Sequence, residues 1–179
     1  YPNKEQRLYL ESIFSINRFI WNQFLAANIR YYNHSKKFHF FNEMSYILTE
    51  CKAIEGYEWL NTVPASSLQQ TLKQLDRAIK DCIKRKKGFP KFKKKRDNEY
   101  SFSLSHTEIK LDNDNKKVRL SAKHGWIKLS ESFRFDVNNI IGNVTISRSG
   151  NYWYISIIAK IEEDSTEKQG AVGLDLGIK

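Results

Sequence analysis

Asp175 is the residue whose surroundings most suggest chemistry. It lies in Ala171-Val172-Gly173-Leu174-Asp175-Leu176-Gly177-Ile178-Lys179, where apolar residues alternate with glycines in the manner of a short buried strand. Glycines at such positions let a second backbone or a ligand approach closely. A carboxylate on a core strand is costly unless it is paired or holds a cation, so Asp175 is a candidate ligand for a hard divalent metal. Two-metal hydrolysis of a phosphodiester holds its ions roughly 4 Å apart with several converging oxygens. One carboxylate does not suffice. A strand of this kind normally opens a sheet, and the sequence reads as cut at the start of a catalytic domain. It opens on Tyr1-Pro2 without an initiator Met, so residues are expected to be missing there as well.

The second feature is electrostatic. Residues 77–96 hold Arg77, Lys80, Lys84, Arg85, Lys86, Lys87, Lys91, Lys93, Lys94, Lys95 and Arg96 against one acid, Asp81, and so carry the whole formal net charge of +10. Phe89-Pro90 and Phe92 are set among the lysines. A lysine run alone is usually a solvated face. Rings among the cations either anchor the segment or offer surfaces on which bases stack, and the combination favours a nucleic acid partner. Lys and Arg displace counterions from phosphates, which gives affinity that falls with salt and little sequence choice. Gln69 and Gln70, just upstream, have the amides that contact adenine bidentately, which suits a short A/T-rich motif; a solvated polar helix face is the other reading of each.

Helices and strands must position these groups. Asn3-x-x-Gln6 resembles a helix-opening capping box. After it Leu10, Ile13, Phe14, Asn17, Ile20, Trp21, Phe24, Ala27 and Tyr31 recur at spacings of three and four, which predicts a helix to about Tyr32. Asn17 and Asn22 intrude near that face, to bond neighbouring helices or a phosphate. A weaker helical pattern covers Asn42–Ile54. Pro64 is a break, after which Ser66 or Ser67 is positioned to cap a helix with the stripe Leu68, Leu72, Leu75, Ala78, Ile79, Cys82 and Ile83. Its other face carries Gln69, Gln70, Lys73, Arg77 and Lys80, and the helix is expected to run out in Lys84–Lys87 and end at Gly88. From Tyr100 the period becomes two. Ile109–Leu111 and Val118–Leu120 flank an Asp112–Asn115 turn, and Val144–Ile146 and Tyr152–Ile158 flank Ser149-Gly150-Asn151. Such short antiparallel strands suggest a small barrel of the oligonucleotide-binding kind. Glu162–Gly170 reads as a linker.

Composition narrows the classes further. A chain of 179 residues makes one ordinary domain or two small ones. No apolar run approaches the ~18 residues of a membrane span, and no signal-peptide pattern opens the chain, so a cytoplasmic protein is expected. Cys51 and Cys82 read as core thiols of a reducing compartment. The histidines His34, His39, His106 and His124 show no metal-ligand spacing with them, so no zinc site is expected in this stretch.

Six stretches, in order, resemble the N-terminal part of the OrfB/TnpB proteins of bacterial insertion sequences, relatives of type V CRISPR effectors. They are Tyr1-Pro2-Asn3-x-x-Gln6, Arg18-Phe19-Ile20-Trp21-Asn22, Ser67–Ala78, Gly88-Phe89-Pro90-Lys91-Phe92-Lys93, Gly125-Trp126-Ile127-Lys128-Leu129 and Gly173-Leu174-Asp175-Leu176-Gly177. The resemblance implies a transposon-encoded RNA-guided DNA endonuclease with guide RNA and double-stranded target DNA as partners. The implied fold is α+β. A helical recognition region over 1–97 comes first, then an antiparallel, wedge-like barrel over 98–165, its first strand lying before Tyr1. Residues 166–179 would be a linker and the first strand of an RNase H-like (RuvC) domain. Asp175 matches the first catalytic and metal-binding acid, with Mg²⁺ as the cofactor of the complete protein; the remaining acids and a four-cysteine zinc motif would lie beyond Lys179. This stretch alone is therefore not expected to cleave. Phe41, Ser45, Gln69, Gln70 and Lys73 match positions that read a short DNA motif beside the target. Sugar and actin-like kinases share the Gly-x-Asp-x-Gly start, but there small hydroxyl residues follow, where this chain has Ile178-Lys179. A cleavage-deficient regulator of the same family and an unrelated basic RNA-binding protein remain as alternatives, and oligomeric state is not legible.

Overall fold

The computed structural model describes residues 1–95, 100–132 and 137–160. Arg96, Asp175 and the stretch read as a linker, Glu162–Gly170, lie outside the described residues.

Helix α1 spans Lys4–Ser35 and starts on the expected capping box. Gln6 N donates to Asn3 Oδ1 at 2.9 Å and Asn3 N donates to Gln6 Oε1 at 3.0 Å. The helix continues past Tyr32 to Ser35, where Lys36 adopts the left-handed conformation (φ 58°) and its N–H closes on Tyr32 O. Its buried face includes Leu10, Ile13, Phe14, Ile20, Trp21 and Phe24. This face meets α3 (Ala65–Ile83), whose Leu68, Leu72, Leu75 and Ile79 are buried. Helix α2 (Phe41–Ala53) adds Met44 and Leu48 to the same core.

Both ends of α3 differ from the sequence expectation. Neither serine caps its start, where Pro64 holds the cap position without a side-chain bond. Ser67 is buried and exchanges hydrogen bonds with Asn17 of α1, at 2.6 and 2.9 Å. The N-terminal charge comes instead from far along the chain, because Glu108 accepts from Ser66 N at 3.2 Å and Ser66 Oγ at 2.7 Å. A carboxylate there complements the positive end of the helix dipole. At the other end the helix stops at Ile83, not Gly88. Arg85 takes the left-handed position (φ 56°), with Arg85 N donating to Cys82 O and Lys86 N to Asp81 O, both at 2.9 Å. This is the doubly bonded helix stop that usually employs glycine. An arginine in that place hid the stop from the sequence.

The strand part is antiparallel, as expected, and forms two three-stranded sheets. One has the order β1 (Ser101–Ser105), β5 (Asn143–Ser149), β6 (Tyr152–Ser156); the other runs β2 (Lys110–Asp112), β3 (Lys117–Ser121), β4 (Gly125–Lys128). Phe102 pairs with Ile146 and Leu104 with Val144, all four buried, so the serines between them face outward. Leu10 of α1, Val118 and Leu120 of β3, Ile127 of β4 and Ile146 of β5 line one apolar interior, so both sheets close on the same helix. Phe14 reinforces this junction, with its ring stacked on Trp153 at 5.7 Å and edge-on to Phe102 at 5.3 Å. Arg148 lies over Tyr100 at 4.3 Å and pairs with Glu11 of α1. Tyr9 stacks on His124 at 3.8 Å, and burial holds its phenol above the ordinary pKa.

Gln6 joins helix to sheet. Besides closing the capping box, its Nε2 donates to His124 O at 2.9 Å and Trp126 O at 3.1 Å, at the entry of β4. Gln6→Glu keeps the acceptor for Asn3 N but sets a carboxylate against two carbonyls. We expect a loss of about 2–3 kcal/mol in urea unfolding, against about 1–2 for Gln6→Ala.

Candidate nucleic-acid interface

The N-terminus of α2 is fixed to α3 by one carboxylate. Asp76, only 9% exposed, accepts from Phe41 N at 3.0 Å through Oδ1 and from Lys80 Nζ at 2.8 Å through Oδ2. Phe41 N is among the unpaired donors that open a helix, and an anion there is favoured. Pinning α2 in this way sets Phe41 and Ser45, one turn apart, against Gln69 and Lys73, one turn apart on α3. Ser45 Oγ donates to Gln69 Oε1 at 3.0 Å, and Lys73 Nζ stands 5.3 Å from the centre of the Phe41 ring. The cleft therefore combines an oriented amide, a hydroxyl, a ring and a cation. An amide oxygen has two lone pairs, so Gln69 held by Ser45 retains both acceptor and donor capacity toward a base edge.

Gln70 does not share this cleft. Neighbours on a helix point about 100° apart, and Gln70 donates to Asn143 Oδ1 at 3.2 Å, on the sheet side of α3. There it lines a groove with Arg18 of α1, Gln74 of α3 and Ser101 and Ser103 of β1, closed along one side by Lys93, Lys94 and Lys95. Arg77 is exposed one turn beyond Gln74 on the same stripe. The polar face predicted for α3 is thus two surfaces, one toward α2 and one toward the sheet.

The basic segment divides as well. Lys84, Arg85, Lys86 and Lys87 form the exposed turn after α3, with Lys87 3.8 Å from Asp81. Lys91 to Lys95 instead follow α1 as a strap. Trp21 Nε1 donates to Lys91 O at 2.9 Å, Asn22 Nδ2 donates to Lys93 O at 3.0 Å, and Lys93 N donates to Asn22 Oδ1 at 2.8 Å. Asn22 thereby presents an amide to the strap backbone as a neighbouring strand would. The Lys93 ammonium lies 4.6 Å over the Trp21 ring. So the polar intrusions at Asn17 and Asn22 serve structure, joining α1 to α3 and to the strap. Removing the clamp with Asn22→Ala should leave helix content unchanged and speed trypsin cleavage between Lys91 and Lys95 several-fold, read by a digestion time course.

Several positioning residues escaped the sequence reading. Asp76 looks like one more surface acid of a charged helix, and only its place opposite Phe41 N reveals its role. Arg18, Gln74, Ser101 and Ser103 join the sheet-side groove through pairings that no local spacing encodes.

The first 37 residues match the helix-turn-helix domain model of OrfB proteins of IS605 type. In the structure this stretch is one continuous helix, α1, with its flanks. A protein of Escherichia coli (strain K12) is 32% identical across 99% of the chain, and one of Streptomyces pristinaespiralis is 24% identical across 99%. Both are named "Putative RNA-guided DNA endonuclease", the first with the designation InsQ. The chain is similar to OrfB/TnpB proteins along its length. It spans 43% and 44% of the length of these two relatives, less than half of each. Among the described residues no helix is long and apolar enough to cross a membrane.

Proposed function

We propose that this chain is the nucleic-acid-binding N-terminal part of a TnpB-type RNA-guided DNA endonuclease, engaging a guide RNA and the target duplex with its flanking motif. The observation that carries the reading is the convergence of Phe41, Ser45, Gln69 and Lys73 between α2 and α3, with Lys93, Lys94 and Lys95 of the strap lining a groove beside Gln70 and Gln74 of the same α3. In this reading the lysines hold phosphates and set the salt dependence. The cleft contacts base edges of a short motif, and guide–target pairing supplies the longer sequence choice. The names of the two relatives support the same assignment of partners. Asp175 would be one of several acids holding Mg²⁺ in the complete nuclease, so cleavage belongs to the longer protein.

The test is binding of this chain to RNA transcribed from the end of its own element, against scrambled RNA, across a salt series. Preference for the cognate RNA that persists above about 150 mM salt is the expected result. Equal binding to both, vanishing with salt, would reduce the chain to a non-specific polyanion binder.

A further inference from the structure

Where α1 and α3 end, beside the start of α2, the chain exposes a groove of about 680 Å³ lined by none of Ser45, Gln69, Lys73 or the strap lysines. Its walls are aromatic. Tyr32 stacks on Phe38 at 4.6 Å, Phe38 meets Phe89 at 6.4 Å, and Phe40, with the Lys80 ammonium 5.2 Å from its ring centre, also lines the groove. Phe40, Phe89 and Ile83 remain 36%, 43% and 52% exposed, more than a folded chain needs to leave open at one place. Lys36 and Lys37, after α1, line the groove, and the exposed cationic turn Lys84–Lys86 connects two further lining residues, Ile83 and Phe89. Lys36 and Arg85 both occupy left-handed positions, with φ of 58° and 56°. The one acid lining the groove, Glu43, is engaged with Phe40 N at 2.7 Å.

We infer that this groove is a stacking platform for unpaired nucleotides, with bases laid on Phe40 and Phe89 and their phosphates on Lys36, Lys37 and the Lys84–Lys86 turn. Rings give base-type-independent stacking and the cations track the backbone, which is the pairing that single-strand binding sites use. A duplex keeps its base faces buried in the stack and cannot use the rings, so the occupant is single-stranded. The inference rests on the nucleic-acid reading above and adds the strandedness and location of one contact.

The experiment compares the 179-residue chain with a Phe40→Leu/Phe89→Leu variant, which keeps apolar bulk and removes the rings. The probes are a 12-nucleotide oligothymidine, an abasic oligomer of the same length and a 12-base-pair duplex, followed by anisotropy at fixed salt. The wild type should bind oligothymidine about ten-fold or more tightly than the abasic strand. The variant should lose that difference and keep its duplex affinity and circular dichroism. A wild type that binds both strands equally, or a variant that keeps the base dependence, overturns the platform alone and leaves the rings to a protein partner. A wild type that binds no nucleic acid overturns this inference and the function on which it rests.

Discussion

Neutralising the turn after α3, by Lys84→Ala, Arg85→Gly, Lys86→Ala and Lys87→Ala together, should weaken RNA binding about a hundred-fold near physiological salt and flatten the salt dependence by about three in log–log slope. The size follows from counterion release, in which each phosphate contact contributes about 0.7–0.9 to the slope. Glycine is chosen at 85 because Arg85 sits at a positive φ of 56°. There it avoids the steric cost that any Cβ incurs, so the variant should fold as well as the parent or slightly better. Fold is monitored by thermal unfolding. Unchanged slope with unchanged melting would show that these charges do not meet phosphates and that the strapped lysines carry binding.

Asp76→Ala should produce the largest stability loss from a single polar substitution in the helical part, about 3 kcal/mol in urea unfolding. It removes two charge-assisted bonds and leaves Phe41 N, at the start of a helix, without its anion. The consequence reaches the interface. With α2 released, Ser45 and Phe41 no longer meet Gln69 and Lys73, so discrimination between duplex sequences should fall while the salt slope stays near that of the parent. Asp76→Asn keeps an acceptor for Phe41 N and should recover about half of the lost stability. A loss below about 1 kcal/mol, or a retained cleft with normal duplex discrimination, would show that packing of Met44 and Leu48 places α2 without this contact.

These two variants also show what could be read from sequence. The capping box at Asn3 and Gln6, the apolar stripes of α1 and α3 and the two hairpins around Asp112–Asn115 and Ser149–Asn151 are local patterns, and the structure shows them where local chemistry puts them. The α3 boundaries failed for two reasons, a non-local determinant at the start and an unexpected residue type at the stop. Glu108 supplies the N-terminal anion from another part of the fold, and an arginine replaces the glycine that would have announced the stop. The candidate residues followed the same division. Gln69 and Gln70 look equivalent in a sequence, yet one faces Ser45 and the other Asn143. A tally of polar residues on a helix does not distinguish them, because the distinction belongs to what packs on each side. Asp175 and Arg96 lie outside the described residues, so their roles rest on the sequence alone.

In the proposed function nucleic acid meets the helical part of this chain, at the α2–α3 cleft, the basic turn and the strap. Photocrosslinking of the full chain to its cognate RNA and to a target duplex, with the linked peptides identified by mass spectrometry, tests it most directly. Links are expected mainly within residues 36–45 and 69–95, with duplex links near Ser45 and Gln69 and RNA links along the lysines. Links concentrated instead on the sheet of β2, β3 and β4, with the helical residues unmarked, would contradict it.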